Sequence, residues 1–407
     1  MNMLIKLLPI TFAIGLAACN GGDPKTGGTA EGSTDTAKNA GCEGLTADQV
    51  CVLIGSGAPK TGGIAHLGKD IENGTQLAIN EINAKNDLTI DGKKVKLGMV
   101  GEDDAGDPRQ GTIAAQKIVD TGAVGVIGHL NSGVSIPANA IYARAGMVQI
   151  SPASTNPDYT LKGNKTPKGA VSSYRVVATD AQQGPALAHY MLENGAKSVA
   201  VLDDATQYGK GLADQVAQTL TESGANVSTR EATTDKTTDF KAVLTKIKAT
   251  NPQFIFWGGM DDTGATLAKQ MRELGITAVL VGADGACTDK FIELSGAAGK
   301  GVICSQAGMP LSQMAKGSEF SANYEKAFSG QKVQIYSPFS YDATYVLVEA
   351  MKLANSTDRE AIAAAMPKVQ YNGLIGPIAF DEKGDIKNGS ISLYKVGDKL
   401  DVIKVVK

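Results

Sequence analysis

Short β-branched runs alternating with amphipathic stretches of helical period constrain this chain more than any other feature. From Cys51 onward the runs Val52 to Gly55, Val95 to Gly101, Ala123 to Gly128 and Val148 to Ser151 are separated by the helix patterns Ile71 to Ala84, Pro108 to Asp120 and Val134 to Ala145. The rhythm resumes with Ser198 to Leu202, Phe254 to Trp257 and Val279 to Gly282, set among the helix patterns Gly209 to Gly224, Phe240 to Thr250 and Thr263 to Leu274. Such repetition predicts an α/β chain with parallel sheet covered by helices on both faces. Gly128, Pro152, Gly258-Gly259 and Gly282 punctuate the strand ends, and open sheets bind ligands beyond the carboxyl ends of their strands. The length beyond Gly41, with a hydrophobic fraction of 43%, suits two such domains better than one.

The first residues read as an export signal. One charge at Lys6 precedes the apolar run Leu7 to Leu16, and Leu16-Ala17-Ala18-Cys19 matches the bacterial lipobox, in which the signal is cut before an acylated cysteine. An apolar run of about ten residues is too short for a spanning helix, which needs about twenty. Residues 1–18 are therefore expected to be a signal peptide, and Cys19 the lipid anchor to the membrane. Residues 19–40 are small and polar, a flexible tether. The resulting expectation is an exported, membrane-anchored lipoprotein facing the periplasm or the cell surface.

Cys42, Cys51, Cys287 and Cys304 remain, an even number in a chain bound for an oxidising compartment. Three connectivities are open, and the local one is expected: Cys42 with Cys51, and Cys287 with Cys304. No pair has close C-x-x-C spacing and there are only three histidines, so no metal site is expected. A net charge of -3, with no basic cluster interleaved with aromatics, gives no nucleic-acid surface.

Several strand-end residues carry binding chemistry. Ser132 follows Gly128-His129-Leu130-Asn131 where a helix pattern begins, so its hydroxyl and the first-turn amides suit a carboxylate, or Ser132 is simply the cap. In Ser151-Pro152-Ala153-Ser154-Thr155, the Ala153 and Thr155 groups face the same region, unless the segment is a plain turn. Asp180 and Asp284, each more often a cap when taken alone, together offer the acceptors an ammonium needs when it leaves water. Tyr208, before a helix, is placed to cover the pocket.

Gly128-His129-Leu130-Asn131-Ser132, Ser151 to Thr155, Asp180-Ala181-Gln182-Gln183-Gly184-Pro185, Gln207-Tyr208-Gly209 and Asn372-Gly373-Leu374-Ile375-Gly376-Pro377 resemble, in order, the Leu/Ile/Val-binding proteins, substrate-binding lipoproteins of ABC transporters. The resemblance runs from about Cys51 to the C-terminus. It implies a type I periplasmic-binding fold: two Rossmann-like lobes joined by three crossovers and closing on a ligand, with lobe one at 41–179 plus 309–389 and lobe two at 180–308 plus 390–407. It implies that Ser132 and Thr155 hold a ligand carboxylate, that the Ala153 carbonyl and Asp284 take the ammonium, that Asp180 supports them, and that Tyr208 lines the cleft. Leu67, Met260 and Tyr336 stand at side-chain positions, with Leu130 and Asn131 beside Ser132. Leu67 and Met260 replace tyrosines of the pattern, and Asp284 replaces a glutamate.

The implied function is capture of a free α-amino acid, aliphatic or branched, by a monomer that delivers it to an ABC permease without a cofactor. The alternatives are an amide, urea or aromatic acid in the same fold, or a ligand sensor. An enzyme is disfavoured. Gly55-Ser56-Gly57-Ala58-Pro59-Lys60-Thr61-Gly62-Gly63 lacks the Gly-Lys-Ser/Thr ending of a phosphate loop, there is no Gly-x-Ser-x-Gly, and the run Glu102 to Asp107 does not match a calcium loop. His66, His129 and His189 are read as structural.

Overall fold

The computed structural model describes residues 41–406; the expected signal segment, Cys19 and the tether lie outside them. Two sheets organise the chain. The first contains β1 (Gln49–Ala58), β2 (Thr89–Ile90), β3 (Lys93–Asp103), β4 (Gly125–Gly128), β5 (Val148–Ser151) and β6 (Ser173–Arg175), in the order β2-β3-β1-β4-β5-β6. All its pairings are parallel except that of β2 with β3. Helices α1 (Ala65–Lys85), α2 (Pro108–Asp120), α3 (Ser132–Arg144) and the one-turn α4 (Asp158–Leu161) connect these strands.

The second sheet begins after α5 (Asp180–Glu193). It takes β7 (Ser198–Asp203), β8 (Asn226–Ala232), β9 (Phe254–Gly258), β10 (Val279–Gly282) and β11 (Ile303–Ala307), linked by α6 (Gln207–Glu222), α7 (Lys241–Ala249), α8 (Asp261–Glu273) and α9 (Asp289–Ser295). The chain then returns to the first lobe through α10 (Gly317–Ala327), α11 (Ser337–Ala354), which packs along α1, and α12 (Arg359–Ala365). A hairpin of β12 (Tyr371–Gly373) and β13 (Gly376–Ile378) follows, and β14 (Ile391–Val396) and β15 (Leu400–Val406) complete the second sheet in the order β15-β14-β11-β10-β9-β7-β8. The chain thus passes between two Rossmann-like lobes three times.

The sequence explains most of these elements. β4 (GVIG) and β9 (FIFWG) are buried at every residue, as expected of parallel strands covered on both faces. Asp107 caps α2 by accepting the Arg109 and Gln110 N–H groups, with Pro108 at the first helical position.

Three helices begin two residues earlier than their apolar periods predict, at Ser132, Gln207 and Asp261. Their caps decide this: Asn131, Thr206 and Met260 hold extended backbone just before each first turn. Ser132 is therefore not a cap but the first helical residue. Asp180 is not a cap either, because Thr179 forms a capping box with Gln182 and leaves the Asp180 carboxylate free for other work. The parallel sheets expected of this fold are present, with antiparallel additions at their edges. β14 runs antiparallel to both β11 and β15, closing one edge of the second sheet. Both local disulfides are present, Cys42–Cys51 tying the start of the described chain to β1 and Cys287–Cys304 tying the turn after β10 to β11.

Candidate functional site

The carboxyl ends of the strands in the two lobes face each other across a cleft of about 850 Å³. Its first-lobe wall is small and weakly polar, including Gly62, Gly63, Gly106 and Val134; its second-lobe wall carries Asp204, Tyr208, Met260 and Asp262. Asn131, Tyr208 and Met260 of the expected set line it. The lobes are in contact: the Asn156 side-chain amide donates to the Gln207 carbonyl at 2.8 Å, and Nε2 of His66 lies 2.8 Å from Oδ2 of Asp261.

On the first lobe, the turn after β5 is held from behind by Arg175, which is fully buried. Its guanidinium donates to the Ser154 carbonyl at 2.7 Å, the Asn156 carbonyl at 3.0 Å and the Thr160 hydroxyl at 2.8 Å, and its Nε pairs with Asp385 at 2.6 Å. With its carbonyls fixed this way, the turn places Thr155 beside α5: the Asp180 N–H donates to the Thr155 carbonyl at 2.9 Å. The Thr155 hydroxyl is buried without a hydrogen-bond partner. Ser132, 1% exposed, accepts the Asn156 N–H at 3.3 Å. The amides of Ser132 and Gly133 stand in the open first turn of α3, where a helix leaves donors unsatisfied and favours negative charge.

On the second lobe, Asp284 opens a one-turn 3-10 helix after β10 and is 1% exposed. Its Oδ1 accepts the Tyr208 hydroxyl and its Oδ2 the Tyr336 hydroxyl, both at 2.8 Å. Two glycines make this convergence possible. A Cβ on Gly209 would lie 2.3 Å from the Gly258 carbonyl, so α6 can seat against the end of β9 only without one. A Cβ on Gly285 would lie 2.8 Å from the Met260 sulfur and 3.1 Å from the Tyr208 ring. Tyr336 is positioned by Asp70, whose carboxylate accepts the N–H groups of Gln334, Tyr336 and Ser337 at 2.7 to 3.0 Å.

Burial raises the Asp284 pKa against the Tyr336 and Tyr208 hydroxyls and the Gln183 amide, which favour its charge. Asp180, fully buried with neither oxygen at hydrogen-bond geometry, is pushed up to about 7, first by burial and further by the charge of Asp284, against the nearby Thr155 hydroxyl and Arg175. Burial likewise lifts the Tyr208 and Tyr336 hydroxyls well above their ordinary value, so both stay donors.

The structure brings Thr155 against Asp180, with Ser132 bonded to the neighbouring Asn156, and separately brings Tyr208 and Tyr336 together on Asp284. Leu67, Leu130 and Ala153 are buried in the apolar cluster that also holds Tyr208, Met260 and Tyr336, and, like Ser132, Thr155, Asp180, Asp284 and Tyr336, they are not among the residues that line the cleft. Sequence reasoning overlooked Gln183, whose amide donates to the Ser305 hydroxyl at 3.0 Å while its carbonyl is unpartnered. It also overlooked Asp204, 2% exposed beside the cleft and pushed up to about 6, chiefly by burial, and Asp261. Position after a glycine-marked strand end was the available signal for Asp261. His129 is structural as expected, bonded to Asp104 at 2.6 Å and Tyr142 at 2.9 Å in full burial, while His66 makes its contact across to the other lobe.

The family model described as periplasmic binding protein matches residues 52–399. Leu/Ile/Val-binding protein homolog 1 of Brucella abortus is 34% identical over 346 residues, covering 84% of this chain and 90% of that protein. Leu/Ile/Val-binding protein BraC3 of Rhizobium johnstonii is also 34% identical, over 84% of this chain and 91% of its own length. Among solved structures, the leucine-binding protein LivK of Thermotoga maritima superposes with a TM-score of 0.78 at 29% identity, covering 87% of this chain and 98% of that one. The match of sequence over nearly the whole folded body, with the same two-lobed architecture, means that this chain belongs to the periplasmic binding protein family, in its Leu/Ile/Val-binding group.

Proposed function

We propose that this protein captures a free α-amino acid, aliphatic or branched, between lobe one (41–179 plus 309–389) and lobe two (180–308 plus 390–407), and delivers it to an ABC permease. One observation carries the reading: Asn131 and Gly133, which flank the open helix start at Ser132, line one wall of the cleft, and Tyr208, which donates to the buried carboxylate of Asp284, lines the other. That is the complement of a zwitterion. Ser132, Thr155 and the first-turn amides of α3 suit its carboxylate. Asp284 retains acceptor capacity after its two tyrosine bonds, since a carboxylate has about four lone-pair sites, and the Ala153 carbonyl adds another acceptor. Asp180 supports them. Asn131 and Met260 border the side chain, with Leu67, Leu130 and Tyr336 in the apolar cluster behind Met260, and the thioether gives the wall a compliant surface. No step of this requires catalysis, a cofactor or a second copy of the chain.

Membership of the family implies export to the periplasm. Acylation of Cys19 would hold the body near its permease, and among the described residues no helix is long and apolar enough to cross a membrane. A thermal-shift screen against the common amino acids tests the reading: a ligand at about 100 times its dissociation constant adds about 2.7 kcal/mol of stability. A rise with leucine, isoleucine or valine is expected. Silence across the panel, with a rise for an amide, urea or benzoate, would replace it.

A further inference from the structure

His66 joins the two lobes beside the cleft, two residues after Ile64, which lines it. It lies in the first turn of α1, and the carboxylate oxygen 2.8 Å from its Nε2 belongs to Asp261, the first residue of α8. A carboxylate only accepts, so Nε2 carries the hydrogen. The same oxygen accepts the Thr288 hydroxyl at 2.6 Å, and Thr288 also caps α9 by accepting the Phe291 N–H at 2.9 Å, one residue beyond the Cys287–Cys304 disulfide. Asp261 is thus held on a braced turn. Its side chain is wholly buried, while the imidazole is 24% exposed. Next to this contact the first lobe approaches so closely that a Cβ on Gly63 would lie 2.1 Å from Oδ2 of Asp262. Met260, which lines the cleft, immediately precedes Asp261.

We propose that His66 is an interlobe latch: a positioning residue that bonds Asp261 only when the lobes are closed and thereby sets how long a captured ligand stays. The inference rests on the capture reading above. Parting the lobes returns the imidazole and the carboxylate to water, so the bond contributes to one of the two states and biases the equilibrium between them. A contact made after the ligand has entered the open form acts on release, not on entry. His66 needs no contact with the ligand to do this.

Stopped-flow kinetics with L-leucine on the full chain tests the latch. His66→Ala is expected to speed dissociation about tenfold or more, the loss of one hydrogen bond to a charged group, and to leave association within about twofold. His66→Gln, which keeps an N–H donor, recovers part of the effect, and in an Asp261→Asn background His66→Ala adds little. An unchanged off-rate in a protein that binds leucine overturns the latch and leaves the capture reading standing. Should no amino acid bind the unaltered protein, the capture reading fails and the latch is judged on the ligand-free lobes, by the distance between spin labels at Gln116→Cys and Thr221→Cys. A shift of the His66→Ala population to longer distances then supports it, and an unchanged distribution overturns it.

Discussion

Asp284→Asn separates a ligand-binding carboxylate from a structural one, because the two roles predict opposite signs. In the structure the carboxylate is buried, accepts two tyrosine hydroxyls at 2.8 Å and is raised in pKa by desolvation. A raised folded pKa means that the ionised group opposes folding as pH climbs through that value. The neutral amide keeps one acceptor, and its NH₂ can donate to a tyrosine hydroxyl, which both donates and accepts. The ligand-free protein should therefore melt at the same temperature or higher. In the complex the substitution removes the charge opposite a buried ammonium, a loss of about 2 kcal/mol or more, so the dissociation constant should rise about thirtyfold. Calorimetric titration with L-leucine, paired with scanning calorimetry of the ligand-free variant, reads both numbers. Unchanged affinity would refute the assignment. A large fall in melting temperature would show instead that Asp284 braces Tyr208 and Tyr336 for the fold.

Thr155→Val should weaken binding by about 1 kcal/mol or more by titration calorimetry, with little change in denaturation midpoint, because the hydroxyl has no partner within the protein. Asp70→Ala strips the acceptor from three N–H groups around Tyr336, two of them buried, and urea unfolding should record a loss of about 3 kcal/mol or more. Asp180, whose carboxyl is pushed up to about 7, contributes stability that is present below the unfolded value near 3.8 and is lost as pH rises through 7. Asp180→Asn should flatten the stability profile of the ligand-free protein between pH 4 and 7 and raise its stability at pH 7 by up to about 4 kcal/mol; a parallel profile would contradict this. Replacing Cys287 and Cys304 by serine opens a loop with a sequence separation of 17, and thermal unfolding should show a cost of about 3 kcal/mol.

Much of the fold was legible where parallel strands are covered on both faces, since burial there selects unbroken apolar runs such as Phe254 to Trp257. Edge strands carry no such run. β8 reads Asn226 to Ala232 with no fully buried residue, and β15 is exposed along most of its length, so neither left a period to detect. Helix starts were misjudged by two residues at Ser132, Gln207 and Asp261 because apolar period begins only after the cap and first turn. Thr179-Asp180-Ala181-Gln182 nevertheless spells a capping box in plain sequence. For the site, residue types at strand ends pointed to Ser132, Thr155 and Asp284. That Tyr336 and Tyr208 would both donate to Asp284 was not legible, because those pairs are 52 and 76 residues apart and meet only through the folding of two lobes. The His66–Asp261 bond, across 195 residues, is of the same kind.

The account stands on a cleft built for both ends of a free amino acid, and titration calorimetry of L-leucine beside N-acetyl-L-leucine and L-leucinamide tests it most directly. The acetyl group removes the cation opposite Asp284, and the amide removes the anion opposite Ser132 and Thr155. Saturable binding of leucine, with each analogue weaker by about a hundredfold or more, is the predicted result, since each leaves buried polar groups unpaired. Equal affinity for leucine and either analogue would contradict the account.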